Sequence, residues 1–214
     1  MKTTVSIPDD YSSVTIKQWQ RLEREWSNCR TDKEKTAKAV QVLTELSEQQ
    51  VASLTPKQFN QIVSHLEWVM DAHERDHDLV PRFTLKGVDY GFIPNWDALS
   101  TGEFIDLDAF ASKGLADHLP EVMAIMYRPV TEGSKDWYEI EEYAPSKRKN
   151  EAMQEAPMDA AMGALAFFLT IARTLAIDSH QYGLAGRPQH SAPNGVGIRR
   201  FTRWLRGMFS KSKK

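Results

Sequence analysis

With 214 residues, 41% of them hydrophobic and 26% charged, the chain has the make-up of an ordinary globular protein rather than a disordered one. That length suffices for one sizeable core, or for two small ones with a tail. A single cysteine, Cys29, excludes an intramolecular disulfide framework and suits a reducing compartment. The net charge of −2 conceals an asymmetry: residues 198–214 hold seven basic and no acidic side chains, so the remainder carries −9.

In chain order, Met1–Ser13 has no apolar core of the kind a secretory signal needs, so none is expected. Thr3–Pro8 alternates as an edge strand would. Thr15-Ile16-Lys17-Gln18 fits a capping box, opening a helix with Ile16, Trp19, Leu22 and Trp26 on one face. A second helix is expected after Thr31, with Ala37, Val40, Leu43 and Leu46 inward. Ser47 and Gln50 open a short third helix through Val51 and Leu54. Thr55-Pro56-Lys57-Gln58 combines an N-cap, a first-turn proline and a boxed Gln. The fourth helix then carries Phe59, Ile62, Val63, Leu66, Val69 and Met70.

Beyond it the period changes. Arg82–Lys86 and Tyr90–Ile93 flank Gly87-Val88-Asp89, which predicts a β-hairpin. Ser100–Glu103 caps a helix expected to run through Phe104, Leu107 and Phe110. Another helix from Leu119-Pro120 carries Val122, Met123, Ile125 and Met126 and ends before Pro129. Trp137–Ile140 reads as a strand and 145–156 as a charged surface segment. Pro157-Met158-Asp159 starts a buried helix running to about Ile177. Its apolar run, Ala160–Ala172, is thirteen residues. At about 20 Å as a helix this is too short for the roughly 30 Å core of a bilayer. Gln181–Gly197, with four Gly and two Pro, is a linker by composition.

The expected architecture is therefore α+β and predominantly α-helical. A helical block spans 1–80, a hairpin with helices spans 81–180 (the buried helix over 158–177), a linker spans 181–197, and a basic amphipathic tail spans 198–214.

Asp71–Asp78 contains H-E-x-x-H. On a helix this spacing lets His73 and His77 share a zinc ion, with Glu74 as general base on a bound water. Glu103 is the attractive third ligand. Against this, the intervening positions are the charged Arg75 and Asp76, and Pro81 disfavours helix at Val80. His73 and His77 also stand one heptad after Leu66 and Met70, as a helix end becoming wet would place them, where imidazoles suit the negative end of the helix dipole. The helix-end reading is preferred, and a zinc hydrolase remains the alternative from the enzyme class. Glu103, Asp106 and Asp108 could hold Mg²⁺, but first-turn acids are favoured by the dipole alone. Cys29 has no base partner near it in sequence. Phosphate-binding, dinucleotide-binding, nucleophile-elbow and paired-cysteine motifs do not occur in the sequence. No catalytic residue, metal or cofactor is expected.

The strongest functional signal is the tail. Ile198, Phe201, Trp204, Leu205, Met208 and Phe209 recur at helical spacing, with Arg199, Arg203 and Arg206 among the residues between them. Such an apolar face should dock on a partner's groove first, on the protein's own body second, and on an anionic membrane or nucleic acid third.

The phrases IPDDYSSVTIKQWQRLE and LTELSEQQVASLTPKQFNQIVSHLEWV resemble bacteriophage tail assembly chaperones and related small morphogenesis proteins. DYGFIPNWDALSTGEFIDLDAF, MAIMYRPVT, YEIEEY and PMDAAMGALAFFLTIA resemble proteins of the phage virion-assembly region. The likeness spans roughly residues 5–176 and leaves the basic tail outside it. It implies a non-enzymatic protein in the host cytoplasm during phage assembly. Its partner would be a tape-measure or other tail protein, with self-association also open. A structural component retained in the virion is the competing reading.

Overall fold

The computed structural model describes residues 5–70, 77–95, 99–134, 137–168 and 170. The fold is mixed α and β, mainly helical, as expected. The described residues divide into two compact units, one within 5–70 with 154–159, the other within 77–153 with 160–170.

The first unit is built from helices whose starts are written locally. Residues 5–8, expected as a strand, are irregular. They are held instead by packing, with Pro8 buried and its carbonyl accepting a 3.3 Å hydrogen bond from Trp68 Nε1. A 3₁₀ turn at Tyr11–Ser13 precedes α1 (Ile16–Ser27), α2 (Asp32–Leu43), α3 (Glu48–Ala52), α4 (Pro56–His65) and α5 (Glu67–Met70). Complete capping boxes start α1, α2, α3 and α4 at Thr15, Thr31, Ser47 and Thr55. In each, the hydroxyl accepts from the third helical N–H, and that residue's side chain returns to the cap N–H.

The remaining open donors of α1 are met from far along the chain. Ile16 N–H donates to Ala156 O at 3.0 Å and Lys17 N–H to Gln154 O at 2.9 Å, while Met158 N–H donates to Val14 O at 2.8 Å. Thr15 and Pro157 form an antiparallel bridge. Residues 154–159 thus complete a helix start that would otherwise leave buried N–H groups unpaired. Ile16, Leu22, Val40, Val42, Leu43, Leu66 and Val69 form the core, and Tyr11 meets Trp19 and Trp68 edge-on at centroid separations of 5.5 and 4.8 Å. Trp26 anchors α1 to α2 by donating from Nε1 to Lys35 O at 2.9 Å. The fourth expected helix is broken at Leu66, which ends α4 before α5 begins.

The second unit is an antiparallel sheet with helices inserted between its strands. Its order is β1 (Arg82–Leu85), β2 (Val88–Phe92), β3 (Tyr127–Gly133) and β4 (Tyr138–Ile140). The hairpin turn is tighter than the sequence suggested, comprising Lys86 and Gly87 alone. Both have positive φ, 51° and 80°, as a two-residue turn matching the strand twist requires. Between β2 and β3 lie α6 (Thr101–Lys113) and α7 (Leu119–Met126), and α7 passes directly into β3. β3 was not anticipated, because Arg128-Pro129 reads as the end of a helix. Pairing with Phe92, Gly91 and Tyr90 makes it a strand. Within the segment expected to be charged surface, α8 (Lys147–Met153) buries Met153 and packs against α7.

One face of the sheet is aromatic. Phe83 stacks on Tyr90 and tilts against Tyr127, while Phe92 meets Tyr127 and Phe167 edge-on, with centroids 5.0–5.6 Å apart. Phe167 stands on α9, helical over 158–168. The Tyr127 hydroxyl donates to Val80 O at 2.7 Å, which fixes the chain leading into β1. Gly163 of α9 lets that chain come close, since a Cβ there would overlap the Asp78 carbonyl oxygen. On the opposite face Tyr138 lies across Gly91, and its hydroxyl reaches Phe92 O at 2.8 Å and Pro81 O at 3.1 Å. A side chain at Gly91 would occupy the space of that ring. Among the described residues, no helix is long and apolar enough to cross a membrane.

Candidate functional site

The polar chemistry of the second unit gathers on the first turns of α6. Ser100 caps this helix and Glu103 completes the box, its Oε2 accepting from Ser100 N–H at 2.7 Å. The other carboxylate oxygen, Oε1, meets Arg128 NH2 at 2.8 Å, with the two side chains only 5% and 10% exposed. Arg128 Nε is buried without a hydrogen-bond partner. Burying one charge without the other is costly, so this pair locks the rotation of α6 against the start of β3. One turn on, Asp106 Oδ2 accepts a 2.6 Å hydrogen bond from the Tyr143 hydroxyl. Burial, then that hydrogen bond and the negative charges of Asp106 and Glu103, push the Tyr143 hydroxyl well above its ordinary pKa of 10.0, against the opposing pull of Arg128. Tyr143 is therefore a neutral donor throughout the physiological range.

This rotation sets the face that α6 turns inward: Leu107 and Glu103 are buried, and Phe104 turns out, 48% exposed. Ile105 follows at 58%. On a helix Asp108 lies one turn beyond both, between their directions. Acid burial paired with an unseen arginine, rather than apolar periodicity, sets which side faces in.

The three carboxylates suggested as a Mg²⁺ cluster serve separate tasks: Glu103 holds Arg128, Asp106 holds Tyr143, and Asp108 lies toward the apolar pair. Among the described residues, no three His, Cys, Asp or Glu side chains converge as metal ligands would. His73 and Glu74 lie outside the described residues. His77 lies within them, half-buried in the chain that approaches α9. Glu103, the suggested third zinc ligand, has both oxygens engaged. Cys29 donates to Glu25 O at 3.3 Å, in the manner of a hydroxyl after a helix. The residues singled out for partner binding (Ile198, Arg199, Phe201, Arg203, Trp204, Leu205, Arg206, Met208, Phe209) all lie outside the described residues, as does the linker before them.

Arg128 and Tyr143 were missed by sequence reasoning. Arg128 left one usable trace: a lone cation directly after the apolar run VMAIMY must either mark a surface or find a buried acid. Comparison with known proteins finds no matching family model, no similar curated protein and no similar solved structure.

Proposed function

We propose that the protein is a non-enzymatic phage morphogenesis factor, a tail assembly chaperone acting in the host cytoplasm. It would shield an apolar stretch of a tape-measure or other tail protein until assembly. The resemblance of residues 5–176 to such proteins supports the biological setting. The observation carrying the interaction role is the solvent-facing pair Phe104 and Ile105 on α6, at 48% and 58% exposure. Two adjacent large apolar side chains beside a buried ion pair suit transient contact with another apolar surface. Residues 198–209 supply a second apolar stripe by spacing, bordered by arginines. Covering a partner in this way needs adaptable surface and no bond chemistry.

The test is co-expression with the tape-measure protein of the same phage. Co-purification that is lost on deleting residues 198–214 supports the reading. Recovery of the protein in purified virions at a fixed copy number would instead assign it to the particle. Stoichiometric zinc, lost with a hydrolytic activity on His73→Ala, would overturn the proposal.

A further inference from the structure

The two helices inserted between β2 and β3 are held in opposite ways. In α7 seven of the eight residues are buried, and all seven are apolar. In α6, thirteen residues long, only Glu103 and Leu107 are buried. Its other large apolar side chains lie elsewhere: Phe104 and Ile105 face solvent, and Phe110 is half-buried, its ring 5.5 Å from that of His118. Beside Leu107 stand two polar attachments, the Glu103–Arg128 ion pair at 2.8 Å and the hydrogen bond from Tyr143 to Asp106 at 2.6 Å.

Apolar and ionic attachments respond differently to separation. Apolar surface pulled apart is exposed to water that disfavours it, so each buried side chain of α7 resists opening. An ion pair pulled apart returns both charges to water and recovers the solvation lost on burial. Such a pair fixes geometry more than it adds strength. Arg128 gains further, because its Nε, buried without a hydrogen-bond partner among the described residues, is hydrated on release. At its end α6 stops on Gly114, at φ 119°, where glycine's conformational range lets the chain turn. Leu115, the next residue, is buried and anchors the chain beyond that turning point.

We propose that α6 is a latched helix, which comes off β3 and α7 as one unit while the sheet, α7 and α9 stay folded. The Glu103–Arg128 pair is the latch and Gly114 the turning point. Opening adds Leu107 and Phe110 to the exposed Phe104 and Ile105, so the released helix offers apolar side chains on both of its sides. The inference is independent of the chaperone reading, since it concerns how α6 is held and not what takes it.

The test is native-state amide hydrogen exchange on the full chain, followed through sub-denaturing urea. Residues 105–113 should share one protection factor, about tenfold or more below those of β2, β3 and α7, with little dependence on urea, the mark of a small opening. Glu103→Gln leaves Arg128 beside a neutral amide only while the helix is latched, so exchange in α6 should rise roughly hundredfold. Tyr143→Phe, which removes one hydrogen bond to a carboxylate, should raise it roughly tenfold. Phe92→Leu loosens the contacts with Tyr127 and Phe167, which persist when α6 opens. It should speed exchange in β2 and β3 and leave that of α6 unchanged. Protection of α6 equal to that of the sheet, or exchange in α6 that rises with Phe92→Leu, would make α6 part of the global core and overturn the proposal. A gradient of protection along α6, showing fraying from one end, overturns it as well. So does exchange in α6 unmoved by Glu103→Gln, which would mean that the pair does not hold the helix.

Discussion

Replacing Gly163 by alanine sets two effects of opposite sign against each other. In a helix interior alanine is ordinarily better than glycine by about 1 kcal/mol. Here the new methyl would overlap the Asp78 carbonyl oxygen and lie 3.0 Å from Leu79 Cα, both backbone atoms. The chain at 78–80 cannot retreat freely, because the Tyr127 hydroxyl holds Val80 O at 2.7 Å. Overpacking of this kind costs about 1–3 kcal/mol, and stretching a hydrogen bond of net worth about 1 kcal/mol adds to it. The expected net loss is about 2 kcal/mol, so the close approach outweighs the propensity. Urea denaturation followed by far-ultraviolet circular dichroism should show the midpoint falling by about 1 M at unchanged slope. Gly102→Ala is the control, since the nearest atom to its added methyl is 4.0 Å away, and it should be neutral or slightly stabilising. If Gly163→Ala matches or exceeds the wild-type midpoint, the segment 78–80 is not seated on α9 and the reasoning fails.

Glu103→Gln keeps an oxygen for the Ser100 cap but leaves Arg128 buried beside a neutral amide, and should cost about 3 kcal/mol in the same denaturation assay; a change below about 0.5 kcal/mol would mean that water already compensates the arginine. The Tyr143 hydroxyl has its folded-state pKa raised above 10.0, so its contribution to stability is complete below that pH and is lost as pH climbs beyond it. Wild type should therefore lose stability more steeply than Tyr143→Phe above pH 10, as read by thermal melts across the alkaline range; parallel curves would contradict the buried Asp106 contact. Glu45 follows the end of α2 with φ of 58°, a conformation glycine adopts without strain. Glu45→Gly should gain about 0.5–1 kcal/mol despite losing the exposed hydrogen bond from Gln18, and a lower melting temperature would refute the assignment of strain.

What could be read from sequence was what is fixed within four residues. The capping boxes read at Thr15, Ser47, Thr55 and Ser100 are complete in the structure because their partners sit three positions away. The hairpin was found but its turn misplaced, since Lys86 gives no sign of the positive φ it adopts beside Gly87. β3 escaped notice because its strand character comes from pairing with β2 across two helices. The orientation of α6 was not legible for a related reason. Apolar spacing assumes that acids face water, and only Arg128, remote in sequence, makes Glu103 an interior residue. Of the candidate functional residues, spacing placed Glu103 in the Ser100 capping box, where the structure has it, but it gave no sign of the ion pair with Arg128 and pointed to no role for Tyr143 or for Ile105.

The closure of α1 by residues 154–159 has a consequence for the order in which the newborn chain acquires structure. Helices α1 to α4 carry their own start signals and can flicker into being as they leave the ribosome, yet Ile16 and Lys17 must wait for Gln154 and Ala156 before their N–H groups are paired. At typical elongation of roughly 5–20 residues per second, that wait lasts on the order of ten seconds. Throughout it the start of α1 stands open where residues 154–159 will lie, while residues 77–153 of the second unit are being made. The N-terminal unit is begun first and finished late, so a stalled or truncated chain ending before residue 154 would present an open edge to whatever binds unfinished proteins.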